Sequence, residues 1–494
     1  MFFFPTSNCP RKKYVLGIFA ILWQLTQGFI RKTTPVRLHG GELRKFCSSS
    51  HTSSVERRTV LAAAGAGIFG GALGGDPLAA FGFGGAPKVK PTNEVVKVVD
   101  GIRQKRLGGG EIFVSEVGLG TQRWVSTDFN APSKEDCFQF MNRAILESGV
   151  NLIDTAEQYP IPSGPRNPEG LVEEVIGKWL AQDKGRRSKV VIASKITGGS
   201  NVTKRNIRKD CEESLKRLGT DYMDLYLLHW PARYTPQANW GQSLGYKYEA
   251  EQYPWYKNAA SFEDIAEAMG ALVKEGKIRG WGMCNDNAFG LAAQAEIAKR
   301  MNVEPPCVMQ GDFSIINRRS EENGLFEASS PIHENAGFLG YNALAGGVLT
   351  GKYLDAPAAV DLPSRDQYIK QAKSPRGRMD EYGWGSTLYR YRSGPAIEAA
   401  LAYRDLAKKN NMSLTELSLR WCKERQGLTS TLLGFTSMAQ LEEDLKYFQN
   451  SKRLSSELMW EVDRIHMRNR LPIFSSYQVG ADWDGEGQIG EPIP

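Results

Sequence analysis

The chain has 494 residues, of which 41 % are apolar and 24 % charged, an ordinary globular composition with length enough for a large core. A collagen-like, coiled-coil or disulfide-stapled miniprotein is excluded. The net charge of +7 is uneven: residues 1–60 hold ten Lys/Arg against two Asp/Glu, and the rest of the chain 52 against 53, so the body has no bias toward nucleic acid.

The N-terminus reads as an address. Arg11, Lys12 and Lys13 precede an apolar run at 14–30, which resembles a signal peptide more than a membrane span. Residues 31–58 are rich in Ser, Thr, Arg and Lys and nearly free of acids, as in organelle transit peptides. Arg57 and Arg58 then open a mild apolar stretch, 59–83, like a twin-arginine signal. Three successive signals, with Phe29 after Gly28, resemble the layered targeting of complex algal plastids, with the thylakoid lumen as the last step. Residues 1–90 are therefore expected to be a targeting region, and no stable membrane span is expected in the mature protein.

From about residue 95 the pattern alternates. Segments 96–99 and 111–114 flank three glycines and predict a short hairpin. Eight short apolar runs follow, at 117–120, 151–154, 190–195, 224–229, 278–285, 308–312, 337–341 and 430–434. Helical spacing lies between them: Ile207, Cys211, Leu215 and Leu218, then Ile265, Met269 and Leu272. Ser413 with Glu416 and Ser437 with Gln440 are capping signals for two later helices. Eight strands alternating with helices predict an α/β protein, a (β/α)8 TIM barrel over 91–470 with an N-terminal β-hairpin. The runner-up, a doubly wound sheet, wants a Gly-x-Gly-x-x-Gly turn, and Gly118-Leu-Gly120 is followed by Thr-Gln-Arg. Long aromatic-rich connections at 231–260 and 352–395 leave from strand ends and are expected to overhang the site. Residues 471–494 form an acidic, Gly/Pro-rich extension. The seven cysteines are scattered, without a Cys-x-x-Cys pair, which argues against a disulfide framework or a zinc site, and no metal is expected.

Three successive strands end in ionisable groups: Asp154, Lys195 and His229, separated by 41 and 34 residues, about one strand–helix unit each. In a barrel these stand side by side on the C-terminal rim. Tyr159 lies five residues past Asp154, in the loop above. An ammonium beside a phenol is expected to favour its ionised form and make it a better proton donor. A carboxylate would hold that lysine charged and oriented, and a neutral imidazole could direct a carbonyl oxygen. The four suit proton donation to a carbonyl that accepts a hydride from a cofactor.

With Gly118-Leu-Gly-Thr121, Asp154-x4-Tyr159, Ser194-Lys195, the run from Ser214 through His229-Trp-Pro231, Gly276-Lys-Ile-Arg-Gly-Trp-Gly282 and the run from Ala343 to Tyr353, the chain resembles the aldo-keto reductase family over about 96–470. The runs at 151–160 and 313–318 look most like its bacterial Tas-type branch, near the potassium-channel β-subunit branch. The resemblance implies an NADPH-dependent oxidoreductase acting on a small-molecule carbonyl, with Asp154, Tyr159, Lys195 and His229 as the catalytic tetrad. It places Gly120, Thr121 and Asp154 near the nicotinamide ribose. Cys284 (Ser in many members), Asn285 and Gln310 fall at the carboxamide, and Tyr341 under the ring. Leu344, Gly346 and Lys352 follow the pyrophosphate. Gly434, Thr436, Gln440, Glu443 and Asp444 lie at the adenosine phosphate, where a helix start at Ser437 offers free N–H groups. Gly311 and Asp444 stand where Asn is usual, and an acid near the 2′-phosphate leans toward NAD unless Arg376 or Arg378 compensates. NADPH is the expected cofactor. Trp124 and Trp230 are expected to face an apolar substrate. An NADPH-binding regulatory subunit with little turnover is the alternative, and the retained His229 speaks for the enzyme.

Overall fold

The computed structural model describes residues 90–474 apart from 129, 236–245, 247, 249–251, 253, 258, 355–376, 381–387, 450 and 451. The chain divides into two units, Met1–Gly84 and Gly85–Pro494, and all described residues belong to the second. The targeting segments, Trp240, Lys370, Lys373, Arg376 and most of the C-terminal extension lie outside the described residues.

Eight parallel strands close a barrel: β4 (Val117–Gly120), β5 (Leu152–Asp154), β6 (Val191–Ile196), β7 (Met223–Leu228), β8 (Ile278–Cys284), β9 (Val308–Asp312), β10 (Gly337–Tyr341) and β11 (Ser430–Leu433). Closure comes from β11 on β4, with Leu432 opposite Gly118. A side chain at 118 would strike Leu152 and Leu432, so glycine there lets the seam pack. These are the eight apolar runs of the sequence, within a residue or two at each end.

The crossover helices form for the reasons their spacing suggests. Lys204–Leu218 turns Ile207, Cys211, Leu215 and Leu218 inward, starts on the Thr203 side chain and stops at Gly219, whose φ of +64° suits a residue without Cβ. Phe262–Lys274 has a complete capping box from Ser261 and Asp264 and buries Ile265, Met269 and Leu272. Each fully buried aliphatic side chain contributes about 1.5–3 kcal/mol against the barrel wall. Among the described residues, no helix is long and apolar enough to cross a membrane.

The expected N-terminal hairpin is present, but it belongs to a three-stranded antiparallel sheet: β1 (Val95–Val99), β2 (Ile102–Leu107) and β3 (Ile112–Ser115). The two predicted strands do not pair with each other; each pairs with β2. That strand reads Ile-Arg-Gln-Lys-Arg-Leu and hides from a hydropathy pattern because its buried polar groups are individually satisfied. Gln104 donates to Gly149 O at 3.2 Å, Lys105 Nζ to Leu428 O at 2.8 Å, and Arg106 to Glu94 at 2.9 Å. Leu107, Ile112 and Val114 join Leu152, Leu225, Val308, Leu339 and Leu432 in one buried cluster that fills the barrel. The small sheet thus closes the N-terminal end of the barrel.

Candidate active site

Strand pairing sets Asp154 on β5 opposite Ala193 on β6 and Lys195 opposite Leu227 on β7, which brings the ends of these neighbours to one rim. Lys195 is fully buried, and its ammonium donates to both oxygens of Asp154 at 2.8 Å and to Thr155 O at 2.7 Å. All three of its protons have an acceptor, so the charge is held in one orientation. Gln310 Nε2 donates to Asp154 Oδ1 at 2.7 Å, and the Cys284 thiol donates to Gln310 Oε1 at 3.5 Å. A chain of hydrogen bonds therefore runs from β8 through β9 and β5 to β6.

Tyr159 sits in the turn after β5, its N–H donating to Ala156 O at 3.1 Å. Its ring centroid is 5.1 Å from the Lys195 ammonium and 5.7 Å from the His229 ring, which it meets edge-on. Burial pushes the phenol well above its ordinary value, and the Asp154 carboxylate adds to this, while Arg378 opposes. Lys195 is paired with Asp154 here, and desolvation dominates the phenol. Burial, then the Lys195 charge, hold His229 well below the ordinary imidazole range. The ring is neutral, and its buried Nδ1 has no hydrogen-bond partner. Trp230 stacks on it at 6.3 Å and lines a cleft of about 90 Å³ with Asn285, Gly311, Tyr341 and Arg390. Trp124 is buried as well and packs against Phe140 at 6.4 Å.

The remaining expected cofactor residues line the same rim. Thr121, fully buried, donates its hydroxyl to Asp154 O at 2.8 Å. Gly120 and Gly434 abut: a Cβ at 120 would stand 3.3 Å from Leu433 O, and one at 434 would stand 3.5 Å from Gly120 O. Asn285 has a φ of +59°; its Nδ2 donates to His229 O at 3.0 Å, and the Tyr341 hydroxyl donates to its Oδ1. After β10, Leu344 leads into Gly346 and Gly347 with φ of +64° and +99°, and a Cβ at 347 would crowd Lys352 at 3.2 Å. This bare backbone beside an exposed lysine is a fit cradle for a phosphate group. At the start of helix Met438–Gln449, Gln440 Oε1 accepts from Thr436 N at 2.9 Å and Ser437 Oγ from Gln440 N at 3.4 Å. The expected free N–H groups there are in part capped already, because the Ser437 hydroxyl accepts from Gln440 N. Glu443 accepts from Tyr447 at 2.8 Å, and burial, helped by Glu443, pushes Asp444 up to about 7.

Residues of the long 352–395 connection, which was expected to overhang the site, make contacts over this rim that the sequence did not show. Arg378 donates to Gln122 at 3.4 Å and to Asn342 at 3.2 Å, which ties the β4 and β10 ends. Arg390 donates to Asp312 at 3.2 Å, as does the Tyr391 hydroxyl. Partners separated by 36 to 256 residues through irregular chain leave no periodic signal.

Residues 116–466 match the aldo/keto reductase family. The chain is 32 % identical over 378 residues to protein Tas of Escherichia coli (strain K12), covering 74 % of this chain and 98 % of that protein, with the same figures for Tas of Shigella flexneri. It is also 32 % identical over 298 residues to an aldo-keto reductase of Babesia bovis, covering 58 % of this chain and 99 % of the relative.

Proposed function

From the premise that this chain belongs to the aldo/keto reductase family, in its Tas-type branch, we propose that it reduces an aldehyde or ketone to the alcohol with NADPH. The observation that carries this reading is the convergence of four groups: a buried Lys195–Asp154 pair, the Tyr159 ring 5.1 Å from the ammonium, and a neutral imidazole edge-on to that ring. Gly346, Gly347 and Lys352 would hold the pyrophosphate, Asn285 and Gln310 the carboxamide, and Tyr341 the ring. When bound, NADPH supplies the hydride. Tyr159 holds its proton at neutral pH and gives it to the carbonyl oxygen. Lys195, fixed by Asp154 and Thr155 O, then stabilises the charge left on the phenol oxygen. His229 hydrogen-bonds the substrate oxygen and sets its direction. The apolar wall of Trp230 suits a hydrophobic carbonyl.

The test is loss of NADPH absorbance with a panel of aromatic and aliphatic aldehydes; no loss with any of them counts against the assignment. Tyr159→Phe is expected to lower kcat at least a hundredfold while NADPH still quenches protein fluorescence. Wild-type turnover in that variant would remove Tyr159 from its role. For residues 1–90 we infer plastid targeting in an alga with complex plastids, continuing to the thylakoid lumen. A fluorescent protein fused behind them is expected in that compartment, and cytosolic fluorescence would refute it.

A further inference from the structure

Arg233 lies four residues beyond His229, in the loop that leaves β7, and Asp286 directly follows Asn285 beyond β8. The guanidinium meets the carboxylate as a fork, Nη1 to Oδ2 at 2.8 Å and Nη2 to Oδ1 at 2.6 Å, and Nη2 also reaches Asn287 Oδ1 at 3.2 Å. The rings of Phe262 and Phe289 each lie 5.5 Å from the guanidinium carbon. The Asp286 side chain is 2 % exposed, so its charge is held out of water by the Arg233 fork and by the Asn287 N–H, which donates to Oδ1 at 2.7 Å. A Cβ at position 290 would come within 2.3 Å of that carboxylate, so glycine keeps open the space it fills. Fork, aromatic pair and glycine are all built around one bridge between two rim loops.

Both ends of the bridge continue into the candidate site. Asn285 Nδ2 donates to His229 O at 3.0 Å, and Asn285 holds a left-handed φ of +59° next to Asp286. Such a backbone persists only where its surroundings hold it. On the other side, His229 and its stacked Trp230 begin the loop that Arg233 anchors. Beside the pair lies a cavity of about 230 Å³, lined by Leu228, Ala232, Ile265, Met283 and Gln294 together with Arg233 and Asp286.

We propose that Arg233 is a positioning residue for the reaction: through Asp286 it holds Asn285, and through its own loop it holds His229 and Trp230, at one spacing across the β7–β8 rim. This rests on the reductase reading. Arg233→Ala is expected to lower kcat by ten- to a hundredfold, as misplacements near 1 Å do, and to weaken NADPH binding severalfold through Asn285. The space vacated joins the neighbouring cavity, so millimolar guanidinium ion should restore part of kcat, and urea, neutral and of the same shape, should not. Arg233→Lys keeps the charge without the fork, and is expected to fold and still lose kcat. If Arg233→Ala does not fold, Arg233→Lys decides alone: wild-type kcat and NADPH affinity in it overturn the proposal. A folded Arg233→Ala with an unrescued or absent loss also overturns it. Hydrogen exchange at 229–233 and 284–287 separates the two readings, because it needs no turnover. Faster exchange in Arg233→Lys in a protein without reductase activity would sink the reductase reading and keep the bridge, whereas unchanged exchange in an active enzyme would sink the bridge.

Discussion

At the scale of single residues, the titration of the site follows from burial. Tyr159 is raised and His229 lowered, so the phenol is protonated and the imidazole neutral across the neutral range. The expected pH profile of kcat for reduction is flat through pH 6.5, with no imidazole step, and falls only in strongly alkaline solution as the phenol loses its proton. A step near 6.5 would reassign His229. Glu157 offers a second titration, two residues before Tyr159. Burial pushes it up to about 7 from 4.5, although it accepts a hydrogen bond from Thr197 N at 2.5 Å. The folded state therefore binds this proton more tightly than the unfolded state, and stability falls as pH rises from 4.5 to about 7. Glu157→Gln is expected to gain about 3 kcal/mol at pH 8 and close to nothing at pH 3.5, read from urea melts at both. The convergence of the four groups was legible because Asp154, Lys195 and His229 each close an apolar run about one strand–helix unit after the last, with Tyr159 in the loop beyond the first. The state of their protons was not, because burial is a property of the closed barrel.

Elements show where a polar residue serves the fold and where it serves the rim. β7 begins near Asp224 and is followed directly by His229. Asp224 accepts from Arg187 at 2.8 Å, from Arg279 at 2.7 Å and from Ile192 N at 3.0 Å, which staples β6, β7 and β8 at their N-terminal ends. Asp224→Ala is expected to cost about 3 kcal/mol in denaturant unfolding, with kcat of the surviving folded fraction unchanged. The same strand thus carries stability at one end and chemistry at the other. At the opposite rim, a side chain at Gly198 would meet Trp230 Cβ at 2.1 Å. Gly198→Ala is expected to displace Trp230 and lower kcat/KM while leaving the melting temperature within a few degrees of wild type. The eight barrel strands were readable from apolar runs, since strands buried on both faces need them. β2 was not, because Lys105 and Arg106 are buried by their acceptors and not by hydrophobicity. The loop contacts over the rim, such as those of Arg378 with Gln122 and Asn342, follow no period at all.

For the whole molecule, any group that binds only the folded form must stabilise it. NADPH at a hundredfold excess over its Kd is expected to add about 2.7 kcal/mol, read as a rise of several degrees in melting midpoint. A larger rise with NADH would reverse the proposed preference for NADPH, as the acids Glu443 and Asp444 near the expected 2′-phosphate position would then suggest. The small sheet under the barrel has its own consequence. Leu107 and Ile112 press into the floor so closely that a Cβ at Gly337 would stand 2.3 Å from Leu107. A vessel plugged at its base is filled from its mouth: among the described residues, the floor is shut by these side chains, so on the proposed reading cofactor and carbonyl are both expected to enter and leave across the C-terminal rim.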